Sequence, residues 1–331
     1  MWFNSLKQKI DYIKKYATIM NGYPTLGNVY FVFNSSNTYY SQFSKLANLT
    51  YEDWTSPIQT SLTTAISQCT SGRNDIIALD GNSSHALAAW EALTKSRINF
   101  IGMDGWWRLV QQWAKIVSTD WAWDAYVMKN TWTRNSFRNI KFIQQDTDAA
   151  ALTVFQEWWE WTVFENCSFT FWVVDNLWGT TTYEFVAWSD SATYRECLFG
   201  TETLLTSDAR TVFLIDQVTA SQEFKSNILK DCNFLISSSS ATASLVKVAA
   251  NTDVLFTNLF DNCNFMASVD SAWWAALTNA CTSAASLVKW TINFKNPWVF
   301  NCTNFSASDS TAFKVAAPAA SNNAFESVTP A

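Results

Sequence analysis

From residue 98 onward, short apolar runs alternate with polar turns: 98–103, 114–117, 125–128, 140–143, 152–155 and 162–171. Most runs are too short for helices and are rich in β-branched and aromatic residues, so each reads as a strand. One pattern recurs. Phe164-Glu165-Asn166-Cys167-Ser168-Phe169 is preceded by Phe137-Arg138-Asn139-Ile140-Lys141-Phe142 and followed by versions at 194–199, 229–234 and 260–265. A looser copy, Val299-Phe300-Asn301-Cys302-Thr303-Asn304-Phe305, carries one extra residue, and Ile98-Asn99-Phe100 keeps only the apolar pair. Between Ile140, Cys167, Cys197, Cys232, Cys263 and Cys302 the spacings are 27, 30, 35, 31 and 39. Repetition at this period marks stacked supersecondary units, each burying its apolar face against the next. With about three short strands per unit, the pattern predicts an all-β, single-stranded right-handed parallel β-helix.

Stacking makes the motif a strand whose Cys and second Phe point inward. Ile140, Cys167, Cys197, Cys232, Cys263 and Cys302 would form one ladder, and Phe142, Phe169, Phe199, Phe234 and Phe265 another, at the roughly 4.8 Å interstrand spacing. The acids Glu165, Glu196, Asp231 and Asp261 would point outward from the same strands.

The chain before residue 98 differs in pattern. Leu6, Ile10, Ile13, Ala17 and Met20 lie on one stripe and predict an amphipathic helix over 4–20, with Lys7, Lys9, Lys14 and Lys15 mostly off it. Such a helix packs on its own protein, on a neighbouring subunit or on a membrane surface. Residues 27–33 alternate as a first strand, and a polar excursion covers 34–55. Ser56-Pro57 opens a second helix with Ile58, Leu62, Ile66 and Cys69 on one stripe, closed by Gly72. It would cap the exposed end of the stack. The expected division is 1–25 as a helical arm, 26–97 as first strand, excursion and cap, 98–305 as coils, and 306–331 as a partial coil or arm. Insertions at 237–244 and 267–286 supply surface for contacts.

Composition changes this picture at two points. Seven cysteines without close pairs point to reduced, buried thiols rather than disulfides or metal ligands. Glycine numbers only 8 and tryptophan 19, whereas usage near 7% would give roughly 23 glycines. Tryptophan also occupies turn contexts: Trp54 and Trp121 follow Asp, Trp106 and Trp107 continue Asp104-Gly105, and Trp298 follows Asn296-Pro297. Trp158, Trp159 and Trp161 crowd one stretch, and Trp123 and Trp132 lie close by in sequence. Glycine alone takes positive φ without steric cost. These ten tryptophans therefore read as glycines of a gene whose UGA codons specify glycine. The alternative is a tryptophan-rich surface that stacks on sugars.

Acidic residues (28) outnumber basic ones (22), for a net charge of −6, and no basic block marks a nucleic-acid partner. No apolar run is long enough to span a membrane, and the N-terminus lacks the pattern of a secretory signal. The sequons at Asn48 and Asn82 read as chance in an Asn/Ser/Thr-rich chain.

The segments GNVYFVF, DIIALDGNSSHAL, SRINFIGMDG, RNSFRNIKF and TVFENCSF resemble a group of right-handed parallel β-helix proteins of tailed bacteriophages. The likeness runs from about residue 5 to the C-terminus, and the group shares its shape with pectate lyases and tailspikes. In that group the places of Trp132 and Trp158-Trp159 tend to hold glycine. The resemblance implies a non-enzymatic structural protein of the virion, synthesised in the host cytoplasm. Its implied partners are further copies of the chain in a homo-oligomer such as a trimer, other virion proteins and a host surface glycan. No cofactor, metal, catalytic residue or nucleic acid is expected.

An enzyme of this shape would cleave polysaccharide, and hydrolases use two carboxylates about 5–9.5 Å apart. Asp146, Asp148, Asp175, Glu184 and Asp190 are the candidates. A passive glycan-binding adhesin is the third reading. His85, the single histidine, has no nucleophile signature beside it and reads as a strand-end residue.

Overall fold

The computed structural model describes residues 27–34, 50–87, 92–103, 114–118, 125–146, 152–172, 182–206, 209–216, 223–250, 252, 254–268, 276–284, 291–306 and 313–316, with residues 8, 10, 11 and 13–15. The chain winds through three parallel sheets in turn. The first has eleven strands, from Ile58–Gln59 and Val29–Val32 at one end to Phe313–Ala316 at the other. The second runs over eight strands from Ser84–Leu87 to Trp298–Phe300, and the third over eight from Ala92–Leu93 to Cys302–Ser306. All pairings between these strands are parallel and join successive coils, as in Phe137 beside Phe164 and Phe164 beside Tyr194. This is a single-stranded parallel β-helix.

Each sheet sends one aromatic row inward. Phe100, Phe137, Phe164 and Tyr194 stack from the first sheet at 4.9, 5.1 and 5.1 Å between ring centres. Phe142, Phe169, Phe199, Phe234 and Phe265 stack from the second at 5.0–5.2 Å. Phe155, Phe185 and Phe213 stack from the third at 5.4 and 5.2 Å. Between rows the rings meet edge to face, as Phe169 and Phe185 do at 4.8 Å, the geometry that aromatic quadrupoles favour.

The recurring motif is a corner between two sheets. Val163–Glu165 belongs to the first sheet and Ser168–Phe171 to the second. Asn166 between them has φ 49°, and its counterparts Asn139, Glu196, Asp231, Asn262 and Asn296 have φ of 51–55°. Short polar residues bend the chain here because Asn and Asp tolerate the left-handed region better than most. Glu196 and Asp231 are thus corner residues aligned with Asn166. Glu165 and Asp261 occupy the outward row of the first sheet with Val163 and Leu259, two places earlier, and alternate with the inward Phe164 and Phe260.

Cys167, Cys197, Cys232 and Cys263 follow these corner residues, buried and free. Their carbonyls accept from Leu198, Asn233, Asn264 and Trp298 of the next coil at 2.8–2.9 Å. Cys302 does not continue the ladder. Asn264 pairs with Trp298 and Phe265 with Val299, so Pro297 takes the place above Cys263. Cys302 begins a third-sheet strand beside Leu277, and the true interval after Cys263 is shorter than the spacing of the cysteines suggested. Burial pushes the Cys167 thiol up to about 12 and raises Cys232 and Cys263 well above the ordinary thiol range. Since the thiolate is the reactive form, a thiol reagent at pH 8 is expected to modify none of the seven cysteines in native protein and all seven in guanidinium. A rapidly labelled native thiol would show that the ladder is open to solvent.

Two other elements start differently from the sequence pattern. Helix α1 spans Leu62–Gln68, with Ser61 Oγ accepting from the Thr64 N–H as N-cap. Ile58–Gln59, expected inside the helix, is instead a strand against Phe31 and Val32. Leu62, Ala65 and Ile66 enter the core at its first coil, and Lys95 Nζ donates to the carbonyls of Ile66, Ser67 and Cys69 at 2.6–2.8 Å. A cation on the last carbonyls closes the helix end. The coils begin before residue 98, since Ile76–Asp80, Ser84–Leu87 and Ala92–Leu93 already supply one strand to each sheet.

At the N-terminus, residues 8, 10, 11 and 13–15 are helical. Ile13 and Ile10 lie on the outer face of the first sheet, against Val29, Phe31, Ile76, Ala78 and Ile101. That helix is therefore packed on its own protein. Among the described residues, no helix is long and apolar enough to cross a membrane.

Candidate functional site

A second column of left-handed residues stands where the third sheet turns into the first: Asn74, Arg97, Arg134, Trp161, Ser191, Ser226 and Phe256, with φ of 54–63°. Four of them, Arg97, Arg134, Trp161 and Ser191, are tied to a neighbouring coil through their N–H groups. Arg97 N–H donates to the Thr133 carbonyl, Arg134 to Glu160 and Trp161 to Asp190, at 2.9–3.2 Å.

Behind this column lies a buried amide network. Asn135 Oδ1 accepts from the Ile98 N–H at 2.8 Å, and its Nδ2 donates to Asn130 Oδ1 at 2.7 Å. Asn130 Nδ2 donates to both oxygens of Glu157 at 3.0 Å, and Thr162 Oγ1 donates to one of them at 2.8 Å. Asn227 and Asn258 continue the pattern, accepting from the Ala192 and Asn227 N–H groups. These bonds satisfy the turn's backbone inside the protein and fix where the outward side chains start.

Burial raises the Glu157 carboxyl to about 8, against the lowering effect of the Asn130 and Thr162 hydrogen bonds. A carboxyl raised above its unfolded value of about 4.3 holds its proton longer in the folded state. Its contribution to stability is therefore lost as pH rises from about 4.3 towards 8. Denaturation midpoints measured across that range are expected to fall, and Glu157→Gln is expected to flatten the slope. An unchanged slope in the variant would show that the group is ionised throughout.

The outward side chains of the first sheet and this corner enclose a cleft of about 590 Å³ lined by Arg97, Arg134, Arg138, Arg195, Glu165 and Trp161, among others. Arg138, 2% exposed, donates from Nε to Glu165 Oε2 at 3.0 Å and from Nη1 to Ser136 Oγ at 3.1 Å. Arg134 and Arg195 are exposed. Four guanidinium groups thus face one carboxylate, in a chain of net charge −6. The sequence carries a faint sign of this: Arg138 and Arg195 hold the same place in their motifs, and Arg97 and Arg134 each stand three places before a core phenylalanine, Phe100 and Phe137. Nothing in the sequence brings the two pairs together before the register is known.

Among the described residues, the candidate carboxylates Asp146, Glu184 and Asp190 do not meet. Asp146 is buried after the second-sheet strand, its N–H donating to Ser118 Oγ. Glu184 is buried in the third sheet with Arg210, whose Nη2 donates to it. Asp190 pairs with Lys225 at 2.9 Å at the turn into the first sheet. Asp148 and Asp175 lie outside the described residues. His85 is buried in a second-sheet strand, Nε2 bonded to the Asp80 carbonyl at 2.8 Å, and burial lowers its pKa.

Of the ten tryptophans singled out, Trp106, Trp107, Trp121 and Trp123 lie outside the described residues. Trp54 and Trp161 sit at positive φ, 62° and 61°. Trp132, Trp159 and Trp298 are exposed, and Trp158 meets Trp188 at 4.5 Å with the rings tilted by 54°, and Lys129 Nζ lies 3.0 Å from the centre of its ring.

Fold and cleft together define a pectin-lyase-like parallel β-helix with a cationic lateral face. Among the solved structures that share this fold are two pectin methylesterase complexes. One is a pectin methylesterase point variant in complex with a hexasaccharide, with a TM-score of 0.55 and 10% identity over 89% of this chain and 91% of that one. The other is a pectin methylesterase in complex with a different hexasaccharide, with a TM-score of 0.51 and 10% identity over the same shares of the two chains. At that identity the likeness is one of fold. No family model matches the chain, and no curated protein matches it by sequence.

Proposed function

We propose that the chain is a rigid structural β-helix of a tailed-bacteriophage particle, assembled as a homo-oligomer and acting through shape rather than catalysis. The observation that supports this reading best is the core: three aromatic rows run in register through consecutive coils. The cysteines are buried, and the described candidate carboxylates Asp146, Glu184 and Asp190 are engaged separately rather than aimed at one point. The resemblance of the sequence to phage β-helix proteins supplies the setting. Mass spectrometry of purified particles tests it, with the chain expected at stoichiometric copy number. Release of oligosaccharides from host envelope polysaccharide by the purified protein would overturn the non-catalytic reading in favour of a depolymerase.

A second reading, a glycan-binding adhesin, is favoured by the arginine cleft and by the hexasaccharides bound to the two fold neighbours. The two readings are compatible, since a particle protein can hold a surface glycan without cleaving it.

We further propose that the tryptophans in turns are glycines in the native protein. The left-handed conformation of Trp54, at 86% exposure, supports this because an exposed ring gains little for the strain it bears. Trp54→Gly is expected to raise stability by about 1 kcal/mol, the cost of a non-glycine residue in that region, read from the denaturation midpoint. UGG codons at these positions in the gene would sink the idea.

A further inference from the structure

We propose that the outer face of the first sheet, from Ser136–Arg138 to Phe313–Ala316, is the interface of a two-fold dimer whose two solenoids lie antiparallel, centred on Ile228. The inference rests on the homo-oligomer reading above and assigns the surface through which the copies meet.

The chain's own N-terminal helix divides this face. Ile10 and Ile13 pack on the outward residues Val29, Phe31, Ile76, Ala78 and Ile101, which belong to Val29–Val32, Ile76–Asp80 and Asn99–Met103. Seven strands of the sheet lie beyond that cover, and Ile228–Lys230 is the middle one. Ile228 is 44% exposed there, with half-buried Leu259 on the next coil and half-buried Val163 two coils before.

Two outward columns cross these strands. Val163, Thr193, Ile228, Leu259 and Asn293 form one, and Glu165, Arg195, Lys230, Asp261 and Lys295 the other. Successive members are one strand spacing apart, about 4.8 Å. A two-fold axis lying in the interface along Ile228–Lys230 reverses the order of the coils and keeps each column opposite its own copy. Ile228 then meets the partner's Ile228, Arg195 the partner's Asp261, and Glu165 the partner's Lys295.

The signs of the charges select this arrangement. Before Lys230 the column runs negative then positive, Glu165 and Arg195, and after it negative then positive again, Asp261 and Lys295. Reversal about Lys230 therefore sets each of the four against its opposite. Moving the axis half a coil one way brings Arg195 against the partner's Lys295, and the other way brings Asp261 against the partner's Glu165. An axis along the solenoid would put each charge level with its own copy. Like charges across an interface disfavour all three alternatives.

Glu165 and Asp261 are held on the surface by Arg138 at 3.0 Å and Lys295 at 3.2 Å, whereas exposed Arg195 and Lys230 form no ion pair among the described residues. Lys230 meets its own copy at the axis, where its flexible stem carries the ammonium towards the Asp261 of either chain, one coil away. The helices do not obstruct the dimer. Asn99–Met103, the last strand that the helix covers, comes one coil past the partner's Phe313–Ala316. Arg97 and Arg134 stand in the corner column beside this face and take no part.

Sedimentation velocity of the full chain over about 1–200 μM tests the interface, a range suited to a modest contact area. A monomer–dimer equilibrium that weakens with salt is expected. Ile228→Asp is expected to weaken it by about tenfold or more, since symmetry places two carboxylates at the axis, while the thermal midpoint stays unchanged because the side chain is exposed. Arg195→Asp is expected to weaken it similarly, and adding Asp261→Arg is expected to restore it by exchanging the charges. A dimer untouched by Ile228→Asp, or a double variant no tighter than Arg195→Asp alone, would overturn this interface and leave the homo-oligomer reading standing. A trimer would overturn the two-fold arrangement. A monomer at every concentration would overturn the homo-oligomer reading itself.

Discussion

Phe185→Ala is expected to lower the free energy of unfolding by about 3–5 kcal/mol, the range for removing a buried aromatic ring. Phe185 stacks between Phe155 at 5.4 Å and Phe213 at 5.2 Å, and meets Phe164, Phe169, Tyr194 and Phe199 edge to face at 4.8–5.5 Å. Rings above, below and across are all held by the main-chain ladders, so the cavity cannot collapse cheaply. Because each coil contacts only its neighbours, the loss should also divide the unfolding transition, with the slope on guanidinium concentration falling as the midpoint does. A loss below about 1 kcal/mol with an unchanged slope would mean that the rows do not act as one core.

Arg210→Met is expected to cost a similar amount, about 3–5 kcal/mol, for an electrostatic reason. Arg210 and Glu184 are both fully buried and bonded to each other, while Arg210 Nε and Nη1 and Glu184 Oε2 have no protein partner. Burial raises the Glu184 carboxyl to about 7 even though Arg210 opposes the shift. Without Arg210 that opposition vanishes, and the folded protein must either keep the carboxyl protonated or bury a lone charge. The variant should therefore lose most stability at high pH and recover part of it as pH falls towards about 4.3, where the unfolded carboxyl also protonates. Glu184→Leu combined with Arg210→Met should restore wild-type stability or exceed it, because two unpaired nitrogens and one unpaired oxygen leave the interior together. A double variant as unstable as Arg210→Met alone would refute the pairing argument. Chemical denaturation at pH 5 and pH 8 reads both.

The scaffold was legible because its inward positions repeat. Phe142 to Phe265 recur with one residue type, and five copies in sequence suffice to set their register. The corner was not legible, since Asn, Asp and Glu before a cysteine look like outward strand residues, and only the backbone angle separates Asn166 from Glu165. Cys302 misled for a related reason. Pro297, which can no more donate to a ladder than continue one, stands in the cysteine's place one coil after Cys263, and a later Asn-Cys pair imitates the motif. The N-terminal stripe announced a helix, but its partner, the outer face of Phe31 and Ile76, lies in strands that read as wholly buried. The arginine cleft was hidden most completely. Its side chains come from residues 97 to 195, and an arginine on a turn carries no sign of what stands on the coil above.

The left-handed corners also make the protein divisible. Val163 and Thr193 occupy the same point of successive coils, as do Glu165 and Arg195, with the same corner geometry on either side. Joining Thr162 directly to Thr193 would therefore delete one whole turn without shifting the face of any remaining side chain. Length along the axis is a quantity this chain can gain or lose in steps of a single strand spacing, so a relative built on the same plan can differ in reach while keeping both ends unchanged.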